Sequence, residues 1–329
     1  MPRLSRFSRL ASPVDTATYG EYRIATRADD PRPRYRFTGR ITEESPAGFT
    51  PRVGRYHLYA GWFCPWSQRV TITRALAGLT DVLSVSYVDN HRDGRGWAFR
   101  EQHGPDPVNG FALLRQAYEA TEEGFDGHVS VPMLWDRATA GVVSNDFRTI
   151  GIDLATAFRR HATPIVETYP EEYRDEIEEY DAWLGPAVNH GAQAVARPGT
   201  EGAAARATLL DAFATLDARL ATRRYLVGPH LTEADIRLWV TLVRFDVGPN
   251  SRRTICPGLA AYPHLWAYAR DLYTLPAFRR TTDFSSFTVA DAVLPDWHAP
   301  ADRPGQAAPA GPPRGRDRRR SGPASGIPV

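Results

Sequence analysis

Apolar residues in this chain change their spacing several times, and each change marks an element. Positions 55–59 alternate, with Tyr56 and Leu58 on one side, and read as a strand; 66–76 carry helical spacing, and 82–88 return to a strand. A right-handed crossover through that helix makes the two strands parallel neighbours. A polar insertion over 89–102 precedes a helical stretch at 108–120, two short strands at 133–136 and 142–144 around a turn, and a helix starting near Asp146. Beyond Thr163-Pro164 the pattern is helical: 171–189, 201–221, a strongly apolar 232–245, 262–275 and a short helix after Pro276. Thr232 and Asp235 have the spacing of a capping box at the start of the apolar helix, with Leu231 placed to pack as a staple.

The order βαβ, helix, ββα is that of a thioredoxin-like domain, so the expected fold class is α/β plus all-α: a thioredoxin-like N-terminal domain and an all-helical C-terminal domain. The expected division is an irregular arm over 1–50, a thiol-binding domain over 51–160, helices over 161–290, and a disordered Pro/Arg-rich tail over 291–329. The 329 residues, 42% hydrophobic and 24% charged, suffice for two such cores.

Charge and cysteine usage narrow the function classes. All of the 40 basic residues are arginine, and the net charge of +2 argues against a nucleic-acid binder. Six arginines fall in 300–329, so the positive excess sits in the tail. Two cysteines make no disulfide framework, which points to a reducing, cytoplasmic setting. No apolar run is long enough for a membrane span, and no secretory signal or metal-ligand cluster is expected.

The candidate chemistry lies at Cys64-Pro65-Trp66-Ser67, where the first strand turns into the first helix. A thiol there faces free backbone N–H groups and the helix dipole, which favour the thiolate, and Pro65 suits the first helical turn. Ser67 stands where a dithiol oxidoreductase has its second cysteine, so redox chemistry here is monothiol and an outside thiol must resolve the mixed disulfide. A free cysteine as a small buried hydrophobe is the competing reading. Cys256 reads as a loop residue. Val131-Pro132, just before the third strand, stands where a thioredoxin-like domain places a cis-proline against its thiol.

Several strings in order resemble the glutathione transferase superfamily, and within it the Xi class, the glutathionyl-hydroquinone reductases. They include Gly54-Arg55-Tyr56-His57-Leu58-Tyr59 leading into Cys64-Pro65-Trp66, then Gly96-Trp97-Ala98-Phe99, Val131-Pro132-Met133-Leu134-Trp135-Asp136, Val143-Ser144-Asn145-Asp146, Leu231-Thr232-Glu233-Ala234-Asp235 and Leu242-Val243-Arg244-Phe245-Asp246. The resemblance implies a reductase that removes glutathione or another low-molecular-weight thiol from hydroquinone-type conjugates, with Cys64 as nucleophile. It implies that Val131 and Pro132 pair with the peptide part of the thiol, that Trp97 packs against it, and that Asn145 and Asp146 face its γ-glutamyl end. Asp146 as a plain helix cap is the alternative. The implied partners are a small-molecule thiol and an aromatic quinol conjugate, and superfamily members are often homodimers. Two positions depart from the family. Asp146-Phe147 replaces Glu-Ser, removing a ligand-binding hydroxyl, and 247–254 replaces a tyrosine-containing segment and a His-Phe-Lys stretch that help form the acceptor pocket. A non-catalytic or altered-specificity binding protein on the same fold is the competing function.

Overall fold

The alternation at 55–59 becomes β1 (Tyr56–Ala60) after an arm whose described residues include one short helix, α1 (Thr16–Tyr19). Every residue of β1 is buried, because both faces of the strand are covered. The computed structural model describes residues 10–23 and 32–299. Pro65–Leu76 forms α2, Ser84–Tyr87 β2, Arg115–Thr121 α3, Met133–Asp136 β3, Gly141–Ser144 β4 and Phe147–Thr156 α4. The sheet order is β2-β1-β3-β4, with β1 parallel to β2 and antiparallel to β3, and β3 antiparallel to β4. Successive strand residues feed opposite layers. Tyr56, Leu58, Ala60 and Leu134 pack with Val70, Ile150 and Leu154 from α2 and α4. Tyr59, Met133 and Trp135 pack instead with Trp97, Phe99, Leu114 and Tyr118.

His57, fully buried in β1, is structural. Its ring nitrogens meet the Ser84 and Ser86 hydroxyls at 2.7 and 2.8 Å, and burial pushes its pKa down to about 3, so it stays neutral.

The helical half begins with a 3-10 turn at Glu171–Tyr173, followed by α5 (Arg174–Leu184), α6 (Gly191–Ala194), α7 (Gly199–Leu220), α8 (Glu233–Phe245), α9 (Pro263–Thr274) and α10 (Pro276–Arg279). The single helix expected over 171–189 is broken into three pieces: Gly185–Asn189 winds as a π turn, where Pro186 has no N–H to give the ladder. The capping box of α8 forms. Thr232 N–H donates to Asp235 Oδ2 at 2.8 Å, while Oδ1 accepts from Leu226 N–H and the Tyr268 hydroxyl at 2.9 and 2.8 Å. Twelve of the helix's thirteen residues are buried, so α8 is the axis of the bundle.

Two further expectations shift. The helix expected from 108 starts only at Arg115, because the Asp106 carboxylate gathers the N–H groups of Val108, Asn109 and Phe111 and the Tyr59 hydroxyl into a turn. Residues 291–299, assigned by composition to a disordered tail, include Trp297 at 4% exposure, 4.9 Å from the Trp266 ring and 6.2 Å from Trp239. The remainder of that tail, 300–329, lies outside the described residues. Among the described residues no helix is long and apolar enough to cross a membrane.

Candidate active site

Cys64 is the N-cap of α2, with φ −88° and ψ 117°, and Pro65 occupies the first helical position. The turn before it is tight. A Cβ on Gly61 would stand 2.6 Å from the Phe63 ring, so glycine is required for that ring to fold back. Cys64 Sγ accepts from Ser67 N–H at 3.4 Å and donates to the Val131 carbonyl at 3.4 Å, and the Val131-Pro132 bond is cis. The predicted thiol, helix start and proline therefore meet at one point.

The three aromatic residues around Cys64 each lie flat on a partner. Trp62 stacks on Tyr87 at 4.2 Å, Phe63 on Trp97 at 4.3 Å and Trp66 on Phe147 at 4.5 Å, each pair within 23° of parallel. Offset stacks of this kind contribute about 0.5–1.5 kcal/mol each beyond area burial. They fix the sequence neighbours of Cys64 in place and leave Cys64 buried. The Arg92 guanidinium lies 4.2 Å from the Trp97 ring centre and 3.9 Å from that of Tyr22 in the arm.

Electrostatics correct one expectation. Burial pushes the Cys64 thiol above its usual pKa, and the Ser67 N–H and hydroxyl and the Arg244 charge only partly pull it back. The helix N-terminus is in place, but desolvation of the closed site outweighs it.

The remaining predicted residues occupy the end of β4 and the start of α4. Asn145 is buried, and its amide binds within the fold: Oδ1 accepts from Phe37 N–H at 3.2 Å and Nδ2 donates to Ser130 Oγ at 3.4 Å. Asp146 caps α4 by accepting from Arg148 N–H at 3.1 Å, and it holds the Arg148 side chain at 2.8 Å through both oxygens. Phe147 is held between Trp66 and Tyr35, whose ring meets it edge-on at 5.9 Å.

Sequence reasoning gave no role to Tyr35 or Gln68, or to Arg244 beyond its string. Arg244 comes from the last turn of α8, where it donates to the Trp62 carbonyl at 3.2 Å and to the Gln68 side chain. The available signal was an arginine in the apolar last two turns of α8, four residues after Val240. Among the described residues no group of three or more His, Cys, Asp or Glu is placed to hold a metal ion.

Comparison with known proteins decides the family. The glutathione S-transferase N-terminal domain matches residues 63–157 and the C-terminal domain matches residues 172–271. This chain belongs to the glutathione transferase superfamily. The glutathionyl-hydroquinone reductase PcpF of Sphingobium chlorophenolicum is 40% identical over 204 residues, 61% of this chain and 65% of that protein. The glutathionyl-hydroquinone reductase YqjG of Escherichia coli is 34% identical over 243 residues, 72% of this chain and 74% of that protein. The glutathione-bound structure of YqjG superposes with a TM-score of 0.76 and 30% identity, covering 81% of this chain and 96% of that one. A Xi-class transferase from Natrialba magadii superposes with a TM-score of 0.77 and 33% identity, over 81% and 88% of the two chains. Its place in the superfamily is the Xi class.

Proposed function

We propose that this transferase-fold protein is a monothiol reductase that removes glutathione, or a related low-molecular-weight thiol, from hydroquinone-type conjugates. The observation that carries the reading is Cys64 Sγ at the N-terminus of α2, hydrogen-bonded to the carbonyl of Val131 beside Pro132. Cys64, as thiolate, attacks the sulfur of the conjugate. The aryl C–S bond breaks, its electron pair stays with the ring carbon, which takes a proton, and the free hydroquinone leaves. The thiol remains as a mixed disulfide on Cys64. A second thiol, as thiolate, attacks that disulfide and departs as the symmetrical disulfide, restoring Cys64. The substrate supplies the oxidising equivalent and the two thiols the reducing ones, so no enzyme dithiol is needed. That fits Ser67 three residues on.

In this reading the backbone at Val131 and Pro132 pairs with the peptide part of the thiol, and Trp97, braced by Phe63, packs on it. Asp146 and the N-terminus of α4 receive its amino-acid end, where Arg148 already balances the carboxylate. Phe147 supports altered thiol selectivity as the second reading, because it is an apolar ring, stacked on Trp66, where the resemblance implies a ligand-binding hydroxyl. Mixing the protein with a glutathionyl-hydroquinone and weighing the intact chain tests both. A glutathione-sized adduct with release of hydroquinone supports the first reading. No adduct with glutathione, but one with another small thiol disulfide, supports the second.

A further inference from the structure

Arg244 is placed as no ordinary surface cation would be. Its guanidinium enters the turn that carries Cys64, binding the Trp62 carbonyl at 3.2 Å on one side and the Gln68 side chain on the other, with a third bond to the Val240 carbonyl at 3.0 Å. The Phe287 ring covers it at 4.2 Å. Its Nε is sealed from solvent without a hydrogen-bond partner, and among the described residues no carboxylate forms an ion pair with it. A desolvated cation lacking an acid partner is costly, and here burial lowers its pKa to about 9. The titratable side chain whose charge acts on it is Cys64. From the other elements around the sulfur, the arm presents the Tyr35 hydroxyl, α2 the Ser67 N–H and hydroxyl, and the segment before β3 the Val131 carbonyl.

We propose that Arg244 is the counter-charge of the Cys64 thiolate, a positioning residue that acts through Cys64 by holding the sulfur ionised when its proton passes to solvent. The inference rests on Cys64 being the nucleophile. A buried thiolate and a partly buried guanidinium that lacks a carboxylate partner, each unfavourable alone, become favourable together. The competing role is a clamp between the halves of the molecule, because Gln68 also donates to the Thr281 carbonyl and Thr282 hydroxyl at 3.0 and 2.9 Å. A clamp would leave the ionisation of Cys64 unmoved.

The test is the pH profile of alkylation by iodoacetamide, followed at the Cys64 peptide by mass, in the native chain, Arg244→Gln and Arg244→Lys. Arg244→Gln should move the midpoint up by about one unit and slow neutral-pH alkylation about tenfold, and Arg244→Lys should recover most of the shift. An unmoved midpoint in folded Arg244→Gln, or a lysine variant that tracks glutamine, overturns the proposal. Should Arg244→Gln not fold, Cys64→Asp is compared with Cys64→Asn in the presence of Arg244, since the two cap a helix about equally. The aspartate variant should be at least as stable, and a markedly less stable one overturns the proposal. None of these measurements uses a thiol cosubstrate or quinol, so a failure of the proposed reductase activity reads out separately.

Discussion

Phe147, the first residue of α4, lies flat on Trp66, the second residue of α2, with ring centroids 4.5 Å apart and planes at 18°. Arg69 is placed over both rings, at 5.3 and 5.7 Å. The stack joins the helix that carries Cys64 to the helix whose N-terminus Asp146 caps. The Phe147 ring is thus part of the packing between the two helices.

Phe147→Ser should trade stability for glutathione affinity. Losing a ring that is 9% exposed and stacked costs about 3 kcal/mol, while the restored hydroxyl offers a charge-assisted hydrogen bond of about 1.5–3 kcal/mol, roughly ten- to a hundred-fold in affinity. Thermal melting and calorimetric titration with glutathione measure the two effects. Unchanged affinity in a folded variant would mean that position 147 does not select the thiol.

Cys256→Ser should leave thiol transfer intact. Cys256 lies in a loop, buried at 7% exposure, with the Asn250 amide at 3.7 Å from its sulfur and no helix N-terminus behind it. Because it packs in the helical core, the substitution should cost about 1 kcal/mol in denaturant unfolding. A loss of turnover with the fold retained would place it in the chemistry.

Asp235 should oppose the usual acid lability of carboxylates. Burial raises its pKa from 3.8 to about 6, so its protonated form suits the folded state better than in the unfolded chain. Its contribution to stability is fully present below about pH 4 and is lost as pH rises through about 6. The stability of the native chain relative to Asp235→Asn should therefore fall by up to about 3 kcal/mol between about pH 4 and pH 7. Urea unfolding across that range measures it, and a difference that grows with pH would contradict the assignment.

Trp297→Ala should lower stability by about 3 kcal/mol, because the ring packs against Trp266, Tyr273 and Trp239. A melting temperature equal to the native one would show that this contact does not hold the end of the described chain in place.

The parts of the fold legible in the sequence are those set by local chemistry. The strand, the Cys-Pro turn and the helix came from a change of period, and the α8 cap came from the Thr232 to Asp235 spacing. What escaped depends on residues far apart. Asn145 is tied to the Phe37 backbone 108 positions away, and Arg244 to the Trp62 carbonyl 182 positions away, and no periodicity encodes either. The late start of α3 follows from Asp106 binding Tyr59 across the fold. Trp297 was hidden because composition averages one aromatic residue into a polar stretch. The π turn has a local cue, Pro186 inside a helical pattern.

The central claim is that Cys64 alone carries the transferred thiol. Cys64→Ser keeps a good N-cap and should melt as the native chain does, but its hydroxyl cannot form the mixed disulfide. The most direct measurement is turnover of a glutathionyl-hydroquinone by both proteins, with intact-mass analysis of each after one half-reaction. The native chain should release hydroquinone and gain one glutathione on the Cys64 peptide, and Cys64→Ser should do neither. Full turnover by Cys64→Ser, or an adduct that maps to Cys256, would contradict the account.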